Sequence, residues 1–198
     1  MESETMNLPN GPFGAILCDP PWAFRTFSGD DAVPTLGEMP YPTMTLDDLK
    51  AIPVGDVAAP DCLLVMWVIS SHVPQAIDLA EAWGFTYRSL GPVWIKDRSP
   101  NQVEMFDDDP ICDLGMGYWF RQQSEIAFVF GRGSPTRLSC SVRQVIASPR
   151  REHSRKPDGV HDRIRKLVAG PYLEMFGRTQ RDGWMVWGNQ TDKFKIYT

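Results

Sequence analysis

Short apolar runs separated by amphipathic helical patterns are the feature that most constrains the fold of this chain. The runs have strand length and lie at 14–18, 62–69, 90–95, 126–130, 144–147, 172–176 and 184–188. Helical patterns lie at about 45–51, 72–83 and 157–168, and Gly170-Pro171 ends the last one. Apolar strands alternating with helices predict an α/β fold, with a mostly parallel sheet and helices on both faces.

The pattern predicts a single domain over residues 1–198. A chain of this length can bury a full core, and its hydrophobic fraction of 42% is typical of globular proteins. Residues 1–12 are expected to form a flexible N-terminus. Two long loops, 23–44 and 96–123, interrupt the pattern, and loops of this length are usually functional or disordered.

The tetrapeptide Asp19-Pro20-Pro21-Trp22 follows the first apolar run directly. Two prolines fix the backbone and remove two N–H donors, which leaves carbonyl acceptors near a carboxylate and a flat ring. These groups suit a planar base with an exocyclic amine, because the carboxylate and a carbonyl accept the amine protons while the ring stacks on the base. The alternative is a proline-rich turn, with Asp19 as a turn acid and Trp22 in the core.

A conjugated amine is a poor nucleophile, which gives these acceptors a chemical purpose. Two acceptors on its protons favour a more tetrahedral nitrogen and stabilise the positive charge that develops during methyl transfer. A carboxylate does this better than a neutral group, since charge-assisted hydrogen bonds are stronger. Ligands of parallel sheets bind beyond the carboxyl ends of the strands, so Asp19 and the residues after Glu174 are expected at one rim.

Several classes of protein are excluded by the sequence. No apolar run reaches the ~20 residues of a membrane span, and the first residues lack a signal-peptide pattern. The four cysteines are widely spaced and the three histidines form no ligand pattern, so we expect no metal site. A cytoplasmic location is the expectation.

Basic residues concentrate in one segment of an acidic chain. Residues 143–166 hold eight basic and three acidic residues, a net charge of +5, while the rest of the chain carries −10. This segment suggests a local phosphate-binding surface. The alternative is a solvated helix face whose arginines pair with nearby acids.

The sequence closely resembles the adenine methyltransferase family whose best-known member is the catalytic subunit of the eukaryotic mRNA N(6)-adenosine methyltransferase. The order and spacing of several short motifs between about Ile16 and Asn189 carry this resemblance. These motifs are Asp19-Pro20-Pro21-Trp22, Pro40-Tyr41-Pro42-Thr43-Met44, the strands 63–68 and 93–96, Glu125, Ser154-Arg155-Lys156-Pro157-Asp158, Glu174-Met175-Phe176-Gly177-Arg178 and Trp187-Gly188-Asn189-Gln190.

The resemblance implies a Rossmann-like class I fold and transfer of a methyl group from S-adenosylmethionine to the N(6) amine of adenine in nucleic acid. It implies catalytic roles for Asp19, Pro20, Pro21 and Trp22. It places Tyr41, Trp67, Glu125 and Lys156 at the substrate. It places at the cofactor Cys18, Asp19, Lys156, Glu174, Phe176, Gly177, Arg178, Asn189 and Gln190.

Some features leave alternatives open. Pro42 stands where the best-known family member has Gly, which stiffens the loop that carries Tyr41. The small stand-alone form favours DNA over RNA, and an RNA methyltransferase of the same family, or a non-catalytic nucleic-acid-binding scaffold that needs a partner, are the alternatives. A homodimer or a partner subunit would fit a chain this short. The aromatics of 118–120 could stack on a base or anchor their loop on the core.

Overall fold

The computed structural model describes residues 7–23, 25–26, 35–36, 42–97, 119–120, 122–152 and 155–193. Its strands are β1 (Phe13–Cys18), β2 (Arg25–Thr26), β3 (Thr35–Leu36), β4 (Ala58–Val68), β5 (Thr86–Asp97), β6 (Ser124–Arg132), β7 (Val145–Pro149), β8 (Tyr172–Met175) and β9 (Trp184–Trp187). Its helices are α1 (Leu46–Lys50), α2 (Val54–Val57), α3 (Val73–Ala82) and α4 (Gly159–Leu167), with a 3₁₀ turn at Ser70–His72.

Seven of these strands form one mixed sheet in the order β7-β5-β6-β4-β1-β8-β9. Among them only β6 is antiparallel to its neighbours, so the predicted mostly parallel sheet is confirmed. The reversed strand matters for the site, since it brings the amino end of β6 to the rim where the other strands end.

Strand alternation sorts the apolar side chains into two cores. On β4, Leu64 and Met66 face the core covered by α1, α2 and α3, whereas Val65 and Trp67 face the core covered by α4. The register pairs Leu64 with Ile16 on β1 and with Phe130 on β6. Helices on both faces are therefore confirmed.

Local sequence defines where α1 and α4 begin. Thr45 and Asp48 form a capping box, in which the Thr45 hydroxyl accepts the Asp48 amide at 3.2 Å. The helix α4 begins after Pro157-Asp158 and buries Val160 and Ile164, the apolar face expected from the sequence.

The chain departs from the prediction in a few places. The short helix α2 and the two-residue strands β2 and β3 were not expected, and β2 and β3 fall inside the predicted loop 23–44. Strand β5 begins four residues earlier than expected. Of the predicted flexible segment 1–12, residues 1–6 lie outside the described part, but the Asn7 carbonyl accepts the Trp187 indole N–H at 3.1 Å and Leu8 packs on the core.

Candidate active site

Asp19 leaves the carboxyl end of β1 at the rim of the sheet, as the sequence predicts. Its carboxylate is one-third exposed and accepts the Lys156 ammonium at 2.8 Å. The turn after it is fixed by two backbone bonds: the Trp22 amide donates to the Pro20 carbonyl at 2.8 Å, and the Met44 amide donates to the Pro21 carbonyl at 2.9 Å. Each proline carbonyl therefore keeps one acceptor position rather than two.

The ring of Trp22 does not lie on this rim. Only 4% of the residue is exposed, and it packs in the core covered by α1 and α3. Its ring lies 5.7 Å from that of His72, whose Nε2 lies 3.3 Å from the Ala23 carbonyl. The expected stacking of Trp22 on a base is thus not supported, and the core role that was its alternative describes the structure.

A line of alternating charges extends from Asp19 across the rim. Lys156 also contacts Glu125 at 3.2 Å, and Glu125 in turn contacts Lys96 at 2.9 Å. The Lys156 ammonium lies 5.7 Å from the centre of the buried Trp67 ring. We call Asp19, Lys156, Glu125 and Lys96 the Asp19 chain. The ends of three strands, β1, β5 and β6, and the segment before α4 position it.

Burial and charge act in opposite directions on these groups. Burial raises the pKa of Asp19, and the Lys156 ammonium opposes this without cancelling it. Burial alone would lower the pKa of Lys156, but the carboxylates of Asp19 and Glu125 outweigh it and raise that pKa. Burial acts to raise the pKa of Glu125, but Lys156 and Lys96 outweigh it and hold the pKa low. Glu125 is therefore the better compensated of the two carboxylates.

The segment after β8 forms the other wall of a cleft that begins at Asp19. Phe176 has a φ of 59°, in the left-handed region that a bulky residue rarely adopts, and its ring meets Trp187 edge-on at 5.4 Å. At Gly177 a Cβ would lie 2.4 Å from the Val186 side chain, so only glycine fits. The cleft is lined by Leu17, Asp19, Trp67, Arg155, Lys156, Asp158, His161, Glu174, Phe176, Gly177, Arg178, Thr179 and Arg181.

A second polar cluster, which the sequence did not reveal, supports this cleft. The Asp158 carboxylate accepts Arg151 at 2.6 Å and Arg181 at 2.5 Å, and the Arg155 guanidinium lies 3.9 Å away. Burial acts to raise the pKa of Asp158, but the two guanidinium hydrogen bonds outweigh it and lower the pKa to about 2. We call Asp158, Arg151, Arg155 and Arg181 the Asp158 cluster.

His161 also lines the cleft without having been predicted. The residue is 4% exposed, and its Nε2 lies 2.8 Å from Glu174 Oε2. Its Nδ1 faces the Asp158 carbonyl at 3.2 Å, and its ring meets Trp184 edge-on at 4.9 Å. A histidine next to Val160 on an otherwise apolar helix face was the one sequence signal that could have indicated this contact.

Comparison with known proteins identifies the family of this chain. The sequence pattern of the MT-A70 family matches residues 13–190. The chain belongs to the MT-A70 family. A type II methyltransferase, M.MunI, of a Mycoplasma species is 31% identical over 96% of this chain and 82% of its own length.

Two eukaryotic relatives are longer. An N(6)-adenosine-methyltransferase MT-A70-like protein of Arabidopsis thaliana is 27% identical over 94% of this chain but only 25% of its own length. The human N(6)-adenine-specific methyltransferase METTL4 is 27% identical over 92% of this chain and 38% of its own. This MT-A70 protein is a methyltransferase with a Rossmann-like α/β fold.

The structure brings many, but not all, of the predicted site residues of this MT-A70 domain together. Asp19, Trp67, Lys156, Glu174, Phe176, Gly177 and Arg178 line one cleft, and Glu125 reaches it through Lys156. Pro20 is buried beneath Asp19. Asn189 and Gln190 follow β9 on the same rim, outside the cleft lining, and Gln190 Oε1 accepts the Lys193 ammonium at 3.2 Å.

One further predicted residue does not line the cleft, and another lies outside the described residues. The Cys18 side chain is fully buried in the core on the face opposite the cleft, and burial together with the Asp19 carboxylate raises the pKa of its thiol. Tyr41 lies outside the described residues, as do the acidic triplet 107–109 and Tyr118. In the described part of the chain, no three or more His, Cys, Asp or Glu side chains are grouped to hold a metal ion.

Within the residues that the structure describes, three of the eight basic residues of segment 143–166 pair with acids. Lys156 belongs to the Asp19 chain, Arg151 binds Asp158, and Arg155 contacts Glu152 at 3.0 Å. For these three residues the structure follows the alternative in which basic residues pair with nearby acids. Across the described residues, no helix combines the length and apolar character that a membrane span needs.

The aromatics at the end of the second long loop face solvent. Trp119 and Phe120 are 87% and 88% exposed. The chain just after them is fixed at the rim, where the Lys96 amide donates to the Gln123 carbonyl at 3.0 Å and the Gln122 side chain donates to the Ser70 hydroxyl. Neither of these two rings is buried in the core.

Proposed function

We propose that this MT-A70 methyltransferase uses S-adenosylmethionine to methylate the N(6) amine of adenine in DNA. The observation that carries the proposal is the Asp19 carboxylate, which lies at the carboxyl end of β1 with one-third of its side chain exposed and one ammonium partner. A carboxylate accepts about four hydrogen bonds, so Asp19 keeps acceptor positions for an amine.

The residues of the cleft suit the methyl donor. S-adenosylmethionine presents an ammonium, a carboxylate, ribose hydroxyls and an adenine ring. Asp19 offers an acceptor for the ammonium, Lys156 and Arg178 offer cations for the carboxylate, and Glu174 offers an acceptor for a ribose hydroxyl. When bound, the donor supplies an electrophilic methyl group on a sulfonium.

The chain itself would then prepare the acceptor amine. Asp19 accepts one N–H of the adenine amine, and a proline carbonyl of the turn accepts the other. Both contacts make the nitrogen more tetrahedral and stabilise the charge that builds on it. The rigid turn holds these acceptors in place before substrate arrives, which supports in-line transfer. In duplex DNA the target base must first leave the stack.

We favour DNA over RNA as the substrate because of the share of each relative's length that this chain covers. The type II methyltransferase matches over 82% of its length, whereas the chain spans only 25% and 38% of the eukaryotic relatives named above. A non-catalytic scaffold would have no use for the Asp19–Lys156 pair. The cytoplasmic location and a homodimer or partner subunit stay predictions.

The test is transfer of labelled methyl from S-adenosylmethionine to matched DNA and RNA oligonucleotides, single- and double-stranded, followed by nucleoside analysis. We expect N(6)-methyladenine in DNA. Product only in RNA would overturn the choice of polymer. Methylated cytosine, or no product in any oligonucleotide under conditions where the donor binds, would overturn the proposed reaction.

A further inference from the structure

An apolar groove of about 560 Å³ lies on the α4 face of the sheet, far along the strands from the catalytic rim. Its floor is formed by Leu63 and Val65 of β4 and Val129 of β6, and one wall by Ile164 and Leu167 of α4. The opposite wall comes from the first half of β5 and from the chain between β6 and β7. The site residues lie near the other ends of these strands.

Four arginines surround this groove. Arg88, Arg137, Arg143 and Arg163 all line it, and none of its described lining residues is Asp or Glu. The Arg88 guanidinium donates to the Gly133 carbonyl at 3.2 Å, and that of Arg163 donates to the Val145 carbonyl at 2.8 Å. Next to the groove, Asp61 accepts the Ser134 amide at 2.7 Å.

The groove arginines differ from the other basic residues of the chain. Near the cleft, Arg151, Arg155 and Lys156 are neutralised by Asp158, Glu152 and Asp19. At the groove the contacts of Arg88 and Arg163 are to backbone carbonyls, and the side chains of Arg137 and Arg143 are exposed. These arginines therefore form a positive ring around a groove whose floor is largely buried, while Leu90 on its wall is 43% exposed and the adjacent Leu138 and Val145 are 59% and 52% exposed.

We propose that this groove binds an amphipathic helix of a partner protein, with aliphatic side chains on one face and Asp or Glu along its flanks. Aliphatic side chains of a partner helix would cover the exposed Leu90, Leu138 and Val145, as in other helix-in-groove interfaces. The arginine ring requires carboxylates at the edges, and arginine is a favoured residue at protein interfaces. A polynucleotide would match the charge but leave these three exposed apolar side chains uncovered.

The test uses the full chain and a defined probe. The probe is a fluorescein-labelled 18-residue helical peptide with Leu at positions i, i+3, i+4 and i+7 and Glu on the flanks, followed by fluorescence anisotropy. A matched peptide carries Lys in place of each Glu. We expect saturable binding of the Glu peptide and at least about tenfold weaker binding of the Lys peptide, a difference of roughly 1.4 kcal/mol.

Paired charge reversals locate the binding. R137E with R143E should weaken the Glu peptide at least about tenfold, and R137Q with R143Q by an intermediate amount. R150E with K166E makes the same change in net charge at exposed residues outside the groove lining and should leave binding unchanged. Thermal melts check that each variant is folded. If R137E with R143E unfolds the chain, R137Q with R143Q still tests the proposal.

Other outcomes would overturn the proposal. Equal binding of the two peptides would show that the groove does not recognise acidic flanks. The same conclusion would follow if neither the Glu nor the Gln substitutions of Arg137 and Arg143 changed binding. A wild-type dimer in light scattering that R137E with R143E converts to monomer would assign the groove to a second copy. Displacement of the peptide by duplex DNA would assign it to nucleic acid. None of these readouts depends on methyl transfer.

Discussion

Asp19 and Asp158 both lie near Lys156, but the pKa values of their carboxyl groups shift in opposite directions. Asp158 accepts two guanidinium groups, and these bonds lower its pKa to about 2. Asp19 has one ammonium, which it shares with Glu125, and its pKa is raised. Asp158 has two guanidinium donors and a third guanidinium 3.9 Å away, whereas Asp19 has a single ammonium that it shares with Glu125.

This difference separates structural from chemical roles. A carboxylate whose charge is compensated by several guanidinium groups gains little from a further donor and fixes the chain around it. An under-compensated carboxylate at a strand end gains most from a new donor, because an added N–H replaces solvation that burial has removed. The amine of a target base is such a donor. We therefore assign catalysis to Asp19 and support of the cleft to Asp158.

The largest effect is expected from Asp19→Ala. Loss of a charge-stabilising group at a reacting centre costs about 10²–10³ in rate, so single-turnover transfer should fall by that factor. The measurement is methyl incorporation at saturating donor and DNA, with a thermal melt of the same protein. A variant that turns over normally would refute the role of Asp19, whereas an unfolded variant would show that Asp19 is structural.

The next effect is expected from Lys156→Met. Without the ammonium, Asp19 faces Glu125 with no cation between them, so the pKa of Asp19 rises further. Because transfer needs ionised Asp19, the acidic limb of the pH–rate profile should move to higher pH. On that limb the rate at a fixed pH should fall about tenfold for each unit by which the pKa of Asp19 rises. Lys96→Met, which removes a partner of Glu125 only, is the matched control and should shift the limb less. Identical pH–rate profiles for the two variants would show that Asp19 depends on Lys156 no more than on Lys96.

A smaller effect on donor binding is expected from His161→Phe. This change keeps a ring against Trp184 and removes the hydrogen bond that orients Glu174. An unmet buried partner costs about 1–3 kcal/mol, so KM for S-adenosylmethionine should rise at least about fivefold while kcat changes little. His161→Gln restores a donor and should recover part of the loss. A fall in kcat at constant KM would place His161 in another role.

The smallest effect is expected from Asp158→Asn, and it falls on stability. The folded-state pKa is depressed, so the carboxylate stabilises the fold above its unfolded pKa of about 3.9 and loses this effect as pH falls toward about 2. Near neutral pH we expect Tm to fall by about 2–4 °C, and the difference from wild type should vanish between pH 4 and pH 2. Asp192→Asn, an exposed change outside the cluster and outside any helix, should leave Tm near neutral pH unchanged.

Sequence reasoning succeeded where the signal is local. The strands and both helix layers followed from apolar periodicity, and Asp19 at a strand end followed from the residues beside it. It could not show the direction of β6, because periodicity is the same in either direction, and that direction brings Glu125 to the rim. It also could not show where the Trp22 ring points, because a residue that follows two prolines can turn its side chain toward the core or toward solvent.

Sequence reasoning also missed contacts between residues that are far apart along the chain. Asp19 and Lys156 are 137 positions apart, and no local pattern links them. Asp158 looked like part of a helix start, but its carboxylate caps no backbone group and binds arginines instead. His161 was passed over because it forms no metal-ligand spacing, yet its role comes from Glu174 on a neighbouring strand.

The most direct test of the account compares Asp19→Asn with Asp158→Asn in one experiment. Both changes remove one carboxylate charge and keep the size of the side chain. The account predicts that Asp19→Asn loses about 10²-fold or more in single-turnover transfer with an unchanged Tm, and that Asp158→Asn keeps transfer within about tenfold with a lowered Tm. Transfer at the wild-type rate by Asp19→Asn, with the loss of activity confined to Asp158→Asn, would contradict it.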